Sequence, residues 1–221
     1  MDNINYFFYF CFVIPMVLSL FILEGKSRLV VGYILVGTTV CIYISEINGV
    51  IFETIDRDML YFCTTISPIT EEIIKALPVL FYAFFFSNDR KKLVQSSFAV
   101  GLGFAIMENM FILTRILETG EGLDLLWVII RGFGAGLMHS VCTVMVGLGI
   151  AFVRKKRKLF VCGTLSLLML AITYHSLYNT IVMSEYRYFG FVLPLLTYIQ
   201  ILNIYIRSKG KRAEKEGELV E

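Results

Sequence analysis

Seven long apolar runs separated by short polar connections set the pattern of this chain: residues 5–23, 29–47, 67–87, 93–116, 125–153, 159–183 and 187–206. A bilayer-spanning helix takes roughly 20 apolar residues, and each run comes close to that length. The pattern predicts an all-α, polytopic membrane helix bundle of about seven transmembrane helices, forming one domain over residues 1–206. The connections are too short for a separate soluble domain. The only sizeable loop is 48–66, where Glu53, Asp56, Arg57 and Asp58 precede the apolar stretch MLYFCTTI; that stretch is expected to lie in the interface or to extend the third helix. Residues 207–221, RSKGKRAEKEGELVE, read as a charged, solvated tail.

Composition agrees with a membrane protein. Hydrophobic residues make up 57% and charged residues 17%, with a mean hydropathy of +0.74. Soluble domains carry about 25% charge. Lys and Arg then orient the bundle, because cytoplasmic loops are enriched in them. Fifteen of the 20 fall after the first, third, fifth and last runs: Lys26, Arg28, Arg90, Lys91, Lys92, the RKKRK segment at 154–158, and five in the tail. The other connections hold Arg57 and Arg187 among seven acidic residues. The N-terminus is therefore expected outside and the C-terminus in the cytoplasm. The first run lacks a basic leader and a small-residue cleavage site, so it is expected to be a retained helix. The net charge of +2 is spread over membrane-flanking loops, which argues against nucleic-acid binding. The five cysteines are scattered, with no CxxC pair, and read as packed thiols.

Ionisable groups inside the runs carry the functional signal, since each costs about 2.5 to 3.5 kcal/mol at a helix centre. The third run contains PITEEIIKALPVL, with Glu71, Glu72 and Lys75; Glu108 follows in the fourth, Arg131 and His139 in the fifth, His175 in the sixth. Glu71 and Lys75, at i and i+4, are positioned to pair. Ser67 and Pro68 are expected to open the third helix, which would place both glutamates near its positive N-terminal end. Gly132 and Gly136 have a spacing that permits close helix packing. Counting ~1.5 Å per residue from the predicted outer ends places Glu71 and Glu72 roughly 6 to 8 Å deep, Glu108 and His175 roughly 12 Å, and His139 roughly 21 Å. Groups at such depths can converge on one polar pocket.

A desolvated carboxylate can act as a general base. Histidines with a carboxylate can hold zinc and an activated water, and Asn and His can donate to an oxyanion. These parts describe amide hydrolysis within a membrane. Taken singly, Glu71 with Lys75 would more often be a structural ion pair, a lone buried His a hydrogen-bonded core residue, and Arg131 the structural partner of an acidic neighbour. The combination at a shared depth favours a site. A transporter or proton-coupled channel would use the same group types, but there is no inverted repeat and the polar groups stop short of the cytoplasmic side.

EEIIK (Glu71, Glu72, Lys75), FAIMEN (Phe104, Glu108, Asn109), His139 with Gly147, and HSLYN (His175, Asn179) resemble, in order, the four motifs of PrsW-type intramembrane proteases. That family is distantly similar to the CAAX-processing proteases. The resemblance covers about residues 65–200, the expected protease core, and leaves the first two helices unmatched. It implies cleavage of a single-span, membrane-anchored anti-sigma factor near the extracytoplasmic side, in a bacterial plasma membrane under envelope stress. By similarity Glu71 or Glu72 is the base, and His175 and Asn179 lie near the oxyanion. Lys75, Phe104 and Asn109 support them. Glu108 stands where the CAAX pattern has histidine. Two chemistries therefore stay open: one zinc ion held by Glu108, His139 and His175, or a metal-free glutamate protease.

Overall fold

The computed structural model describes residues 3–87, 89–120, 122, 124–153 and 160–203. The described chain is helical throughout, with no strand: α1 Asn3–Leu20, α2 Gly25–Thr54, α3 Met59–Tyr61, α4 Ser67–Phe85, α5 Arg90–Glu118, α6 Leu125–Val153 and α7 Phe160–Val182. A 3-10 turn, Arg187–Phe189, leads to a further helix, α8, over residues 192–203. Four of the helices, α2, α5, α6 and α7, are long and apolar enough to cross a membrane. The RKKRK segment and the tail lie outside the described residues.

The expected 48–66 loop is almost entirely helical. α2 runs on to Thr54, and α3 continues through a π-helical turn, Phe62–Ile66, straight into α4. Only residues 55–58 break the helix. The true N-cap of this long helix is Asp58, whose carboxylate accepts from the Tyr61 N–H at 2.7 Å. Ser67 is therefore an interior residue. Glu71 and Glu72 stand more than three turns inside the helix, beyond reach of its N-terminal dipole, which acts over the first turn. At the opposite face of the bundle Asp89 caps α5, accepting from the backbone N–H groups of Lys91 and Lys92. Those bonds hold its carboxyl below the usual range.

α4 has the inverted amphipathicity that lipid favours. Glu71, Glu72, Lys75, Ala76, Val79, Tyr82 and Ala83 point inward and are buried, while Ile69, Ile73, Leu77, Phe81 and Phe84 point outward. A soluble helix would show the reverse arrangement. One apolar core, with Val79, Leu93, Val100, Met138, Cys142, Val146 and Tyr178, joins α4, α5, α6 and α7. A second, with Cys41, Ile44, Phe104 and Met107, joins α2 to α5. The polar cluster lies between them. Several buried hydroxyls close onto their own helices, where lipid offers no partner: Thr38 donates to Leu35 O, Ser97 to Leu93 O and Thr143 to His139 O.

Close helix approach depends on glycines other than the expected pair. A Cβ at Gly132 would meet open space, and at Gly136 it would touch only Leu102 at 4.0 Å. By contrast, a Cβ at Gly101 would fall 2.4 Å from the His139 carbonyl oxygen, and one at Gly103 2.1 Å from that of Ile34. α5 is therefore in backbone contact with α6 on one side and α2 on the other. This contact presents Phe104 to the His139 ring, with ring centres 4.9 Å apart.

Candidate active site

Glu71, Glu72, Lys75, His139 and His175 are all buried, and three helices, α4, α6 and α7, bring them together. Lys75 Nζ lies 2.5 Å from Glu72 Oε1 and 2.8 Å from His139 Nδ1, and sits over the Phe104 ring at 4.6 Å. The expected Glu71–Lys75 pair gives way to an i,i+3 pair with Glu72. Both glutamates are within reach of Lys75 along the helix, so partners on other helices decide. Glu72 also accepts from His175 Nδ1 at 2.8 Å, whereas Glu71 Oε1 is taken by the Ser67 hydroxyl at 2.5 Å.

Hydrogen-bond polarity follows from these contacts. An ammonium only donates, so His139 Nδ1 accepts from Lys75, and its Nε2–H donates to Glu108 Oε2 at 3.0 Å. Arg131 Nη2 approaches the same carboxylate oxygen at 3.4 Å, which bears out the structural ion pair expected for that arginine. His175 donates Nδ1–H to Glu72, so in the neutral ring Nε2 carries the lone pair. That nitrogen lies 3.8 Å from Glu71 Oε2, and neither atom has a hydrogen-bond partner. Two buried acceptors facing each other without a donor would cost several kcal/mol if nothing came between them.

The remaining predicted residues make contacts of their own. Asn179, one turn beyond His175, donates Nδ2–H to the Cys63 carbonyl at 2.8 Å and so fastens α7 to the π turn. Such turns free carbonyls from the regular helical ladder and recur at functional sites. Asn109 Oδ1 is buried without a partner. Gly147 meets Ser97, whose hydroxyl oxygen would lie 2.0 Å from an added Cβ. Three contributors escaped the sequence reading: Asn48, Ser67 and Thr70. Asn48 donates to the Ser67 hydroxyl at 3.0 Å and accepts from Thr70 at 2.6 Å. The available signal was the spacing of Ser67 four residues before Glu71, and an amide near the end of an apolar run.

A metal fits this donor set once His139 gives up one of its two hydrogen bonds, because Nδ1 accepts from Lys75 and Nε2–H donates to Glu108. Ligand atoms of Glu71, His139 and His175 lie within 4.8 Å of one another. His175 also has the arrangement typical of a metal-binding imidazole, one nitrogen held by a carboxylate and the other open. The sequence reading placed Glu108 with the two histidines. In the three-donor group that forms, Glu71 holds that place, and Glu108 stands against His139 and Arg131.

The family model for PrsW family intramembrane metalloproteases matches residues 25–205. The chain belongs to this family. No curated protein and no solved structure matches it. The PrsW match begins at residue 25 and so includes α2, which the motif resemblance left out. As a PrsW-family member the protein is a membrane-embedded protease. The three donors form a group that could hold a metal, consistent with the family's description as metalloproteases.

Proposed function

We propose that this protease hydrolyses a peptide bond of a single-span membrane protein, of the anti-sigma factor class, near the extracytoplasmic side of a bacterial plasma membrane. The observation that carries the reading is the gap between Glu71 Oε2 and His175 Nε2, two unpartnered buried acceptors 3.8 Å apart. A water there would donate to both. Glu71 is the group that takes its proton, and Glu72 keeps His175 in the tautomer that leaves Nε2 open. Lys75 compensates the Glu72 charge and orients His139. Asn179 is the further donor beside His175, available to a developing oxyanion once it releases Cys63. In the alternative chemistry Glu71, His139 and His175 would hold a zinc ion, which would lower the pKa of a bound water to about 7 and polarise the substrate carbonyl; Glu71 would then serve as a ligand and not as the base.

Depth puts the cluster near mid-membrane, with Glu71 deeper than the roughly 6 to 8 Å expected from the sequence, because its helix starts at Met59 and not at Ser67. Counting ~1.5 Å per residue from the helix ends at 59, 118, 125 and 182, Glu71 lies about 18 Å in, Glu108 about 15 Å, His139 about 21 Å and His175 about 10 Å. Lys26, Arg28 and Arg90 to Lys92 mark the opposite ends, which we assign to the cytoplasm, with the N-terminus outside. Among the described residues every buried charged side chain belongs to the cluster, so no charged relay continues to that side, as a transporter would need.

The substrate helix has a lateral berth. An apolar groove of about 900 Å³ runs between α2 and α4, from Gly25 and Arg28 to Val40 and Ile74, with Gly32, Leu77, Pro78 and Phe81 along its walls. Ile74 adjoins Lys75, so a helix lying in the groove would unwind toward Glu71. Filling it with Gly32→Trp is expected to raise KM about tenfold while leaving kcat close to wild type, as loss of binding alone does; steady-state cleavage in detergent checks this. Equal KM would remove the groove from substrate binding.

The decisive experiment incubates purified protein with a single-span substrate bearing a short extracytoplasmic stub. Cleavage is expected, with one zinc per chain by elemental analysis, loss of activity on chelation and return on adding zinc. A folded, metal-free protein that cleaves at the full rate would exclude zinc. A preparation that takes up zinc but leaves the substrate whole and moves protons across vesicles would replace protease by transporter.

A further inference from the structure

The second helix takes part in the site through a route that none of the motifs contains. Asn48 reaches across from α2 to α4 and makes two bonds of opposite polarity: its Oδ1 accepts from the Thr70 hydroxyl at 2.6 Å and its Nδ2 donates to the Ser67 hydroxyl oxygen at 3.0 Å. Ser67 in turn donates to Glu71 Oε1 at 2.5 Å. Asn48 and Ser67 are both buried.

Direction matters in this relay. A hydroxyl has one proton, and Ser67 spends it on whichever neighbour offers an acceptor. The Thr70 hydroxyl lies 2.6 Å from the Asn48 amide oxygen and 2.9 Å from the Ser67 carbonyl, and the atom that Asn48 turns to the Ser67 hydroxyl is its amide nitrogen, which presents N–H. The serine proton is thereby committed to Glu71. One carboxylate oxygen is pinned, and the other, Oε2, is turned toward His175 Nε2 and left open. Without the donor, the Glu71 side chain would be free to rotate toward Lys75, which lies on the same helix face at i+4 and would compete with Glu72 for it.

We propose that Asn48 and Ser67 are positioning residues that hold Glu71 in its reactive orientation, with Asn48 acting only through Ser67. This rests on the reading of Glu71 as the group that faces the water.

The test compares Ser67→Ala, Ser67→Thr, Asn48→Asp and the double variant Ser67→Ala/Asn48→Asp with wild type and Glu71→Gln, measuring kcat, KM and unfolding midpoint in the same micelles. Asn48→Asp keeps the shape but replaces a donor by an acceptor, which draws the serine proton away from Glu71. Ser67→Ala and Asn48→Asp are each expected to lower kcat about 10- to 100-fold, the worth of one hydrogen bond to a charged group, with KM unchanged. Ser67→Thr keeps the hydroxyl and is expected to retain most of the activity. The double variant should be no slower than Ser67→Ala, because both changes interrupt one path. Wild-type kcat in Ser67→Ala or Asn48→Asp, or losses that multiply in the double variant, would overturn the proposal. So would an inactive Ser67→Thr whose midpoint falls in step with that of Ser67→Ala. Full activity of Glu71→Gln is a separate outcome, which sinks the reading of Glu71 itself.

Discussion

Glu71→Gln is expected to abolish peptide cleavage while leaving the bundle folded, a loss of about 10²- to 10⁴-fold, as expected for removing a general base. The glutamine keeps the oxygen that Ser67 donates to. Its amide nitrogen replaces Oε2, the atom facing His175 Nε2 without a partner. An amide N–H can donate across that gap but cannot receive a proton from water, so folding is preserved and chemistry is not. Glu72→Gln is a different experiment, because Glu72 Oε1 carries both Lys75 and His175. It is expected to lower stability as well as rate. Single-turnover cleavage beside unfolding midpoints separates the two glutamates: comparable rates for Glu71→Gln and wild type would move the base elsewhere.

Lys75→Met is expected to destabilise the protein by about 3 to 5 kcal/mol, the cost of leaving one member of a buried ion pair without the other. The lysine is fully buried, and its ammonium serves Glu72, His139 and the Phe104 face together. Methionine fills a similar volume, so lost packing contributes little. The sign of the electrostatic effect has its own check. Adding Glu72→Gln to Lys75→Met removes the orphaned charge and should recover part of the stability, although neither variant is active. Equilibrium unfolding in mixed micelles measures both. A double variant less stable than Lys75→Met would show that Glu72 is not the charge left stranded.

Much of this site could be read along the chain, because lipid exposure makes polar residues conspicuous. Glu71, Glu72, Lys75, Glu108, His139 and His175 stood out against apolar neighbours, and the structure gathers all of them. The pairing among them was less legible. Glu71 and Glu72 both lie within reach of Lys75 on α4, and the choice is made by His175 on α7 and Asn48 on α2, whose distances depend on how the helices cross. Crossing distance was itself misassigned to Gly132 and Gly136, although Gly101 and Gly103 make the backbone contacts. Spacing alone says that a glycine can admit a neighbour, not that one is there. The 48–66 segment misled for a different reason. Its charges suggest a loop, yet Asp56, Arg57 and Asp58 occupy only the break, and the apolar MLYFCTTI extends the helix.

The placement of the lysine three residues after its carboxylate has a consequence for how the protein is made. α4 precedes α6 and α7 along the chain, so on sequential entry into the bilayer its three charges would meet lipid before the histidines that surround them in the folded bundle. Because Glu72 and Lys75 sit within one helix, they neutralise each other at that moment. Only Glu71 then adds to a helix-centre cost of about 2.5 to 3.5 kcal/mol per charge, and a Ser67 hydroxyl on the same helix is there to share it. A pair split between two helices would have had to wait for its counter-ion inside the bilayer.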